Sequence, residues 1–146
     1  MRISTKTRYG MRLMIKLADN FGKGYTYLKD IAESEKISEK YLSLIVIPLK
    51  TAGLLTTSRG IHGGYILSKK PSEITAREIV EILEGDMCVV ECIKNDKYCS
   101  KSGNCSAQDL WTGLSDKMTE YLNTINLEEL VKLQNEKKLE LIDYSI

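Results

Sequence analysis

The chain has 146 residues and a mass of 16.5 kDa, enough for one ordinary domain or a small domain with an extension, and too little for most two-domain enzymes. With 42% hydrophobic and 28% charged residues it can bury a core, which excludes a disordered chain. No apolar run approaches the roughly 18–20 residues that cross a bilayer, so no membrane partner is expected. The formal charge of +1 argues against a nucleic-acid partner only while the chain is taken whole. Residues 1–70 carry 13 Lys and Arg against 5 Asp and Glu, a net +8, whereas residues 71–146 carry 8 against 15, a net −7. Such asymmetry reads as a basic binding module joined to an acidic segment with another task. Met1 to Gly10 holds three cations with no apolar run behind them, so it is not a secretory signal, and a cytoplasmic location is expected. A reducing compartment disfavours disulfides among Cys88, Cys92, Cys99 and Cys105, which lie within 18 residues of one another.

From Lys6 to Phe21, Met14, Leu17, Ala18 and Phe21 recur at helical spacing, and Gly22 and Gly24 end the helix. A short second helix is expected over Tyr27–Ser34, from Leu28, Ile31 and Ala32. Tyr41–Leu49 has the β-branched residues of a strand, but Leu42, Ile45, Val46 and Leu49 also fit a helix. Ser38 with Glu39 as a start signal and Gly53 as a stop decide for helix, with Pro48 fraying or bending its last turn. A hairpin follows: Leu54–Ser58, a Gly-rich loop, then Tyr65–Ser68. Thr75 and Glu78 form a capping-box pattern opening a helix through Leu83, closed by Gly85. Met87–Ser106 is polar and aperiodic and reads as a loop. A long helix then runs from Ala107 to about Asn123, and its stripe of Leu110, Trp111, Leu114, Met118, Tyr121, Leu122 and Ile125 is wide enough for a packing seam. Either a helix of a second subunit covers that stripe, giving a homodimer, or the helix folds back on its own domain.

Three helices followed by a two-stranded wing describe a winged helix-turn-helix, a mostly α fold with a small β-hairpin. The expected organisation is a DNA-binding domain at 1–84, a cysteine-rich loop at 85–106, and a dimerisation helix with a C-terminal segment at 107–146. In that geometry the amino end of the third helix meets base edges, which nominates Ser38, Lys40, Tyr41 and Ser43. Arg2, Lys6, Arg8 and Arg12 are expected near backbone phosphates, and Arg59 with Gly60 at the wing tip, beside the minor groove. His62, the single histidine, fits a surface or phosphate contact at the same tip better than a metal ligand. Gly60, Gly63 and Gly64 suit the positive φ of a tight hairpin. Arg59–Tyr65 lacks the glycine spacing of a nucleotide loop, and no Cys-x-x-Cys or neighbouring Cys–His pair offers enzyme chemistry.

The opening MRISTKTRYG, Ser38–Leu42 with Pro48-Leu49, and Arg59-Gly60-x-x-Gly63-Gly64-Tyr65 together resemble the Rrf-two (Rrf2) family of bacterial transcription regulators, over nearly the whole chain. The resemblance implies a homodimeric winged-helix protein that binds double-stranded DNA at an imperfect palindrome. Cys92-x6-Cys99-x5-Cys105 followed by Leu110-Trp111 and Leu114-Ser115-Asp116 resembles the IscR branch, where three cysteines hold a 2Fe-2S cluster before the dimer helix. Relatives of similar spacing hold 4Fe-4S, and the family also contains cluster-free regulators of cysteine metabolism.

Thiolates suit iron–sulfur clusters, while the absent Cys-x2-Cys knuckle disfavours zinc and the polar surroundings disfavour packed, unliganded thiols. Gln108 stands where that branch has a histidine, leaving the fourth ligand to Cys88, to the Gln108 oxygen, or to a group of the other subunit. Ser43 stands where the branch has a glutamate that helps the cluster-free form reject some sites. The expected function is therefore a regulator sensing iron–sulfur status through its cluster, with a cluster-free regulator acting through zinc, thiol oxidation or a docked metabolic enzyme as the alternative.

Overall fold

The computed structural model describes residues 2–60 and 63–145. Its elements are α1 (Thr5–Asp19), α2 (Leu28–Glu35), α3 (Glu39–Thr51), β1 (Leu55–Ser58), β2 (Gly64–Leu67), a 3-10 turn at Pro71–Glu73, α4 (Ala76–Glu84), the single turn α5 (Glu91–Lys94), α6 (Ser106–Thr124) and α7 (Leu127–Asp143). Mostly helical with a small β-hairpin, this is the expected winged helix-turn-helix with long C-terminal helices.

Local chemistry accounts for the boundaries. Ser4 caps α1 by accepting from the Thr7 amide, and Thr75 and Glu78 make the reciprocal capping box of α4. Between α2 and α3, Lys36 takes a left-handed conformation (φ 54°), and the Ile37 amide reaches back to the Ala32 carbonyl at 3.0 Å. The end of α3 is closed by Gly53 at φ 80°: the Gly53 amide bonds Lys50 O and the Leu54 amide bonds Leu49 O, the Schellman pattern. Pro48 does not end α3, which continues to Thr51, with the Ala52 amide on the Pro48 carbonyl at 3.0 Å.

The hairpin pairs Leu55 with Leu67 and Ser58 with Gly64, and Thr26 adds a bridge to Tyr65 through bonds of 2.8 and 2.9 Å. The wing glycines answer different demands: Gly60 (φ 110°) and Gly64 have the expected positive φ, whereas Gly63 does not and is required by space alone. A side chain at Gly63 would meet Ser58 O at 2.5 Å, and one at Gly64 (φ 136°) would meet Thr26 O at 2.6 Å. Gly10, inside α1, lets that helix approach α4 so closely that a methyl group there would collide with Leu83.

One core joins these elements, centred on Leu13, Met14, Leu42, Ile45, Leu49, Leu54, Leu55, Ile74 and Ile79, all 0–2% exposed. The chain adds two features to the sequence reading. The segment 87–106 contains the turn α5, and the C-terminal segment forms α7, which packs on α1 and the 3-10 turn. Ile125, expected in the α6 stripe, is instead the extended residue that ends α6, and its carbonyl accepts from the Ala76 amide at 2.8 Å. Asn126 and Glu129 then form a capping box, and Leu127 enters the winged-helix core fully buried. Leu127→Ala should therefore lower unfolding free energy by about 2–5 kcal/mol, the range for a buried leucine. Urea unfolding measures it, and a loss under about 0.5 kcal/mol, as at a surface site, would contradict the placement.

Candidate nucleic-acid interface and cysteine loop

Helix α3 is fixed in rotation by its inner face. Leu42, Ile45, Val46 and Leu49 are 0–3% exposed, and at 100° per residue the opposite side carries Lys40, Leu44, Ile47 and Thr51. Of the nominated base readers, Lys40 is exposed on that outer side. Ser38 is the N-cap, its hydroxyl oxygen accepting from the Tyr41 amide at 3.4 Å, and the Ser43 hydroxyl donates to the Lys40 carbonyl at 2.6 Å. Tyr41 is half-buried and meets Tyr9 of α1 edge to face, centroids 5.9 Å apart. Two residues missed by the sequence reading share the face of Lys40: Leu44 is 56% and Ile47 58% exposed. Their signal lay in the helical phase, opposite to the four core positions.

The cations expected on phosphates divide. Arg2, Arg8, Arg59 and Gly60 are exposed and Lys6 is half-buried. The Arg8 guanidinium lies 5.9 Å from the Tyr9 ring centroid. His62 lies outside the described residues. Arg12 has a structural partner instead: its Nε donates to Glu35 Oε2 at 2.7 Å and its Nη2 to the Glu35 carbonyl at 2.8 Å. Lys16 stands 3.4 Å from the other Glu35 oxygen, and the Arg12 guanidinium lies 5.8 Å from the Tyr9 centroid. Arg12 thus clasps the C-terminal end of α2 to α1, next to the ring that touches α3.

The acidic half is organised around the cysteines, all of which are free thiols. Cys92 sits on α5, Cys99 is exposed in a turn, and Cys105 is the residue before α6. Gln108 ties this segment together. Its Oε1 accepts from the Gly103 amide at 3.0 Å, and its Nε2 donates to the Cys92 carbonyl at 2.7 Å and to Ser102 Oγ at 3.2 Å. Val89 N donates to the buried Ser115 hydroxyl at 3.3 Å, and Lys94 pairs with Asp86 at 3.0 Å. Burial, then the neighbouring Asp86 carboxylate, pushes the Cys88 thiol above its ordinary pKa, so it stays protonated at neutral pH. The Lys94 hydrogen bond, with help from Cys88, holds Asp86 below the usual carboxylate range.

Among the described residues no group of three or more His, Cys, Asp or Glu is arranged to hold a metal ion. The Gln108 amide is engaged at both ends and so is not free as a ligand, while Cys92, Cys99 and Cys105 are free thiols, the donor type that holds iron–sulfur clusters. No helix of the described residues is long and apolar enough to cross a membrane.

A basic three-helix domain with a wing and a long exposed helix is the architecture of a winged-helix, DNA-binding transcription regulator. A family model described as Rrf2, iron-dependent transcriptional regulator, matches residues 3–133, and the chain belongs to that family. The regulator CymR of Bacillus subtilis is 41% identical over 130 residues, 89% of each chain. Its solved structure, described as the global cysteine regulator, superposes with a TM-score of 0.80 at 39% identity, covering 91% of this chain and 98% of that one. The oxidized form of Staphylococcus aureus CymR gives a TM-score of 0.73 at 37% identity, covering 90% and 96%. IscR of Photorhabdus laumondii is 35% identical over 134 residues, 92% of this chain and 81% of that protein. CymR and IscR proteins both stand among the relatives, so the family is established and the IscR branch is not.

The Arg12 clasp has a readout that a phosphate contact would not share. Arg12→Met should weaken DNA binding a few-fold while leaving the slope of log Kd against log salt unchanged, whereas loss of a phosphate cation lowers that slope by about 0.9 per contact. A fall of that size in Arg12→Met, measured by fluorescence anisotropy across a salt series, would return Arg12 to the phosphates.

Proposed function

We propose that the chain is a homodimeric, cluster-free member of the Rrf2 family that binds palindromic operators, controls genes of cysteine metabolism, and responds through thiol oxidation in the loop at 85–106. The observation that carries this reading is the bonding of Gln108. A histidine at that position would offer a ring nitrogen to a metal. The amide instead closes the loop onto itself, through Cys92, Ser102 and Gly103, so the segment is ordered by its own hydrogen bonds. The likeness to CymR supports the cysteine assignment, and the oxidized form of one such relative is in keeping with a thiol signal.

Cys99 is the exposed thiol. A peroxide would oxidise it to the sulfenic acid: sulfur attacks one peroxide oxygen, the O–O bond breaks, and water leaves with the second oxygen. Its carbonyl accepts from the Ser102 amide at 3.1 Å, and Ser102 Oγ accepts from Gln108, so a change at Cys99 is two residues from the first turn of α6. Dimerisation belongs to α6, where Leu110 (62% exposed), Leu114 (40%) and Tyr121 (66%) fall within about 40° of one another on the helix and await an apolar cover. The acidic charge of this half repels DNA and leaves phosphate binding to the basic half.

The second reading, a cluster regulator, is favoured by the spacing of Cys92, Cys99 and Cys105 and by the IscR relatives. Purification without oxygen, followed by iron, sulfide and zinc analysis and light scattering, separates the two. The cluster-free reading predicts a colourless protein with no stoichiometric metal and twice the mass of the chain. A brown protein with stoichiometric iron and sulfide, losing its visible absorption in Cys92→Ala, would contradict it and establish the cluster.

A further inference from the structure

Among the described residues inside helices α1, α2, α3 and α4, Leu44 and Ile47 are the only exposed large apolar side chains; Phe21, Tyr25 and Tyr27, also exposed, lie in the connection between α1 and α2. Every other large aliphatic of those helices is buried or half-buried, so the exception lies on the one helix that a winged-helix protein inserts into DNA. The hydroxyl groups beside them have their protons engaged within the helix, which leaves them as acceptors only. The Ser43 hydroxyl hydrogen is directed to the Lys40 carbonyl at 2.6 Å and the Thr51 hydroxyl hydrogen to the Ile47 carbonyl at 2.9 Å. The outer face of α3 therefore presents one ammonium group, Lys40, followed by two aliphatic side chains.

The occupant of that face has to satisfy both chemistries. A protein partner with an apolar patch would set its surface against a half of the chain carrying +8. The major groove of B-DNA matches instead: phosphates flank it, guanine offers O6 and N7 to Lys40, and thymine contributes its one aliphatic substituent, the C5 methyl group. We propose that Leu44 and Ile47 are specificity-determining residues that read thymine methyl groups in the major groove, with Lys40 reading guanine on their amino-terminal side. Leu44 and Ile47 are separated by about 4.5 Å along the helix axis. Base steps are about 3.4 Å apart, so the thymines stand one or two steps from each other in each half-site. The inference rests on DNA reading by α3 and is independent of what the cysteine loop senses.

Deoxyuridine differs from thymidine by that methyl group alone and provides the test. The full-length chain is used to enrich binding sequences from a random duplex pool. Each thymine of the enriched site is then replaced singly by deoxyuridine, and affinity is measured by anisotropy at fixed salt. At one or two thymines per half-site the replacement should weaken binding about three- to five-fold, the effect of withdrawing one buried methyl group. In Leu44→Ala the sensitivity should vanish at one of these thymines, and in Ile47→Ala at its neighbour. Both variants should melt as the parent does, because the side chains are exposed.

An enriched site at which no thymine methyl matters would overturn the inference while leaving DNA reading by α3 intact. Methyl sensitivity that persists in both alanine variants would overturn it as well, since other residues would then be the readers. A change of oligomeric state in Leu44→Ala or Ile47→Ala would assign the face to a protein contact. Enrichment of no sequence would remove the DNA reading itself and the inference with it.

Discussion

The inner stripe of α3 sets the rest of the structure. Leu42, Ile45, Val46 and Leu49 are packed to 0–3% exposure against α1, α2 and α4, and a rotation of the helix by even one residue, about 100°, would expose two or more of them. At roughly 1.5–3 kcal/mol for each buried aliphatic side chain, such a rotation costs more than any surface contact on the far side returns. The phase of α3 is therefore decided in the core. The outward presentation of Lys40, Leu44 and Ile47 is a consequence of burial rather than a separate specification. The same stripe fixes where the wing begins, because the turn at Gly53 places Leu54 and Leu55 in the core directly after Leu49.

Around that helix the basic half uses its polar groups for orientation as much as for binding. Ser38 caps α3, Ser43 bonds back to it, and Arg12 with Glu35 holds α2 against the Tyr9 ring that touches Tyr41. The groups that we propose to face DNA include Lys40, the two aliphatics, and cations of the amino terminus and the wing, all on the surface of this half. The acidic half has the complementary design. It carries few buried groups, holds its cysteine loop by hydrogen bonds to and from Gln108 and by the Val89 amide donating to Ser115, and exposes the apolar stripe of α6. α7 couples the halves, since Leu127 shares the core with α1 and α4, and Lys138 reaches Asp19 at 3.6 Å.

Much of this was legible in the sequence, for reasons that differ by element. Helices α1 to α4 and the hairpin follow from periodicity and caps within single segments, and their bounds agree to within about two residues. α7 escaped because its apolar residues are diluted by charge. Asn126-x-x-Glu129, a capping signal of the same kind as Thr75-x-x-Glu78, marks its start. The recognition face was half legible. Choosing readers by polarity nominated Ser38, Tyr41 and Ser43, whose side chains also make contacts within the fold, and left out Leu44 and Ile47, whose outward placement only the phase of the helix reveals. The role of Gln108 as a clasp depends on residues from 92 to 103 folding back onto α6, a long-range placement that no local pattern encodes.

The central claim, that core packing turns Lys40, Leu44 and Ile47 outward onto DNA, is tested most directly by thiol footprinting of α3. Leu44→Cys, Ile47→Cys and Val46→Cys variants are alkylated with and without bound operator, and modification of the α3 peptide is followed by mass spectrometry. The account predicts rapid labelling of Leu44→Cys and Ile47→Cys in the free protein, strong protection of both by DNA, and negligible labelling of Val46→Cys in either state. Labelling of Leu44→Cys and Ile47→Cys that is indifferent to bound DNA would contradict it.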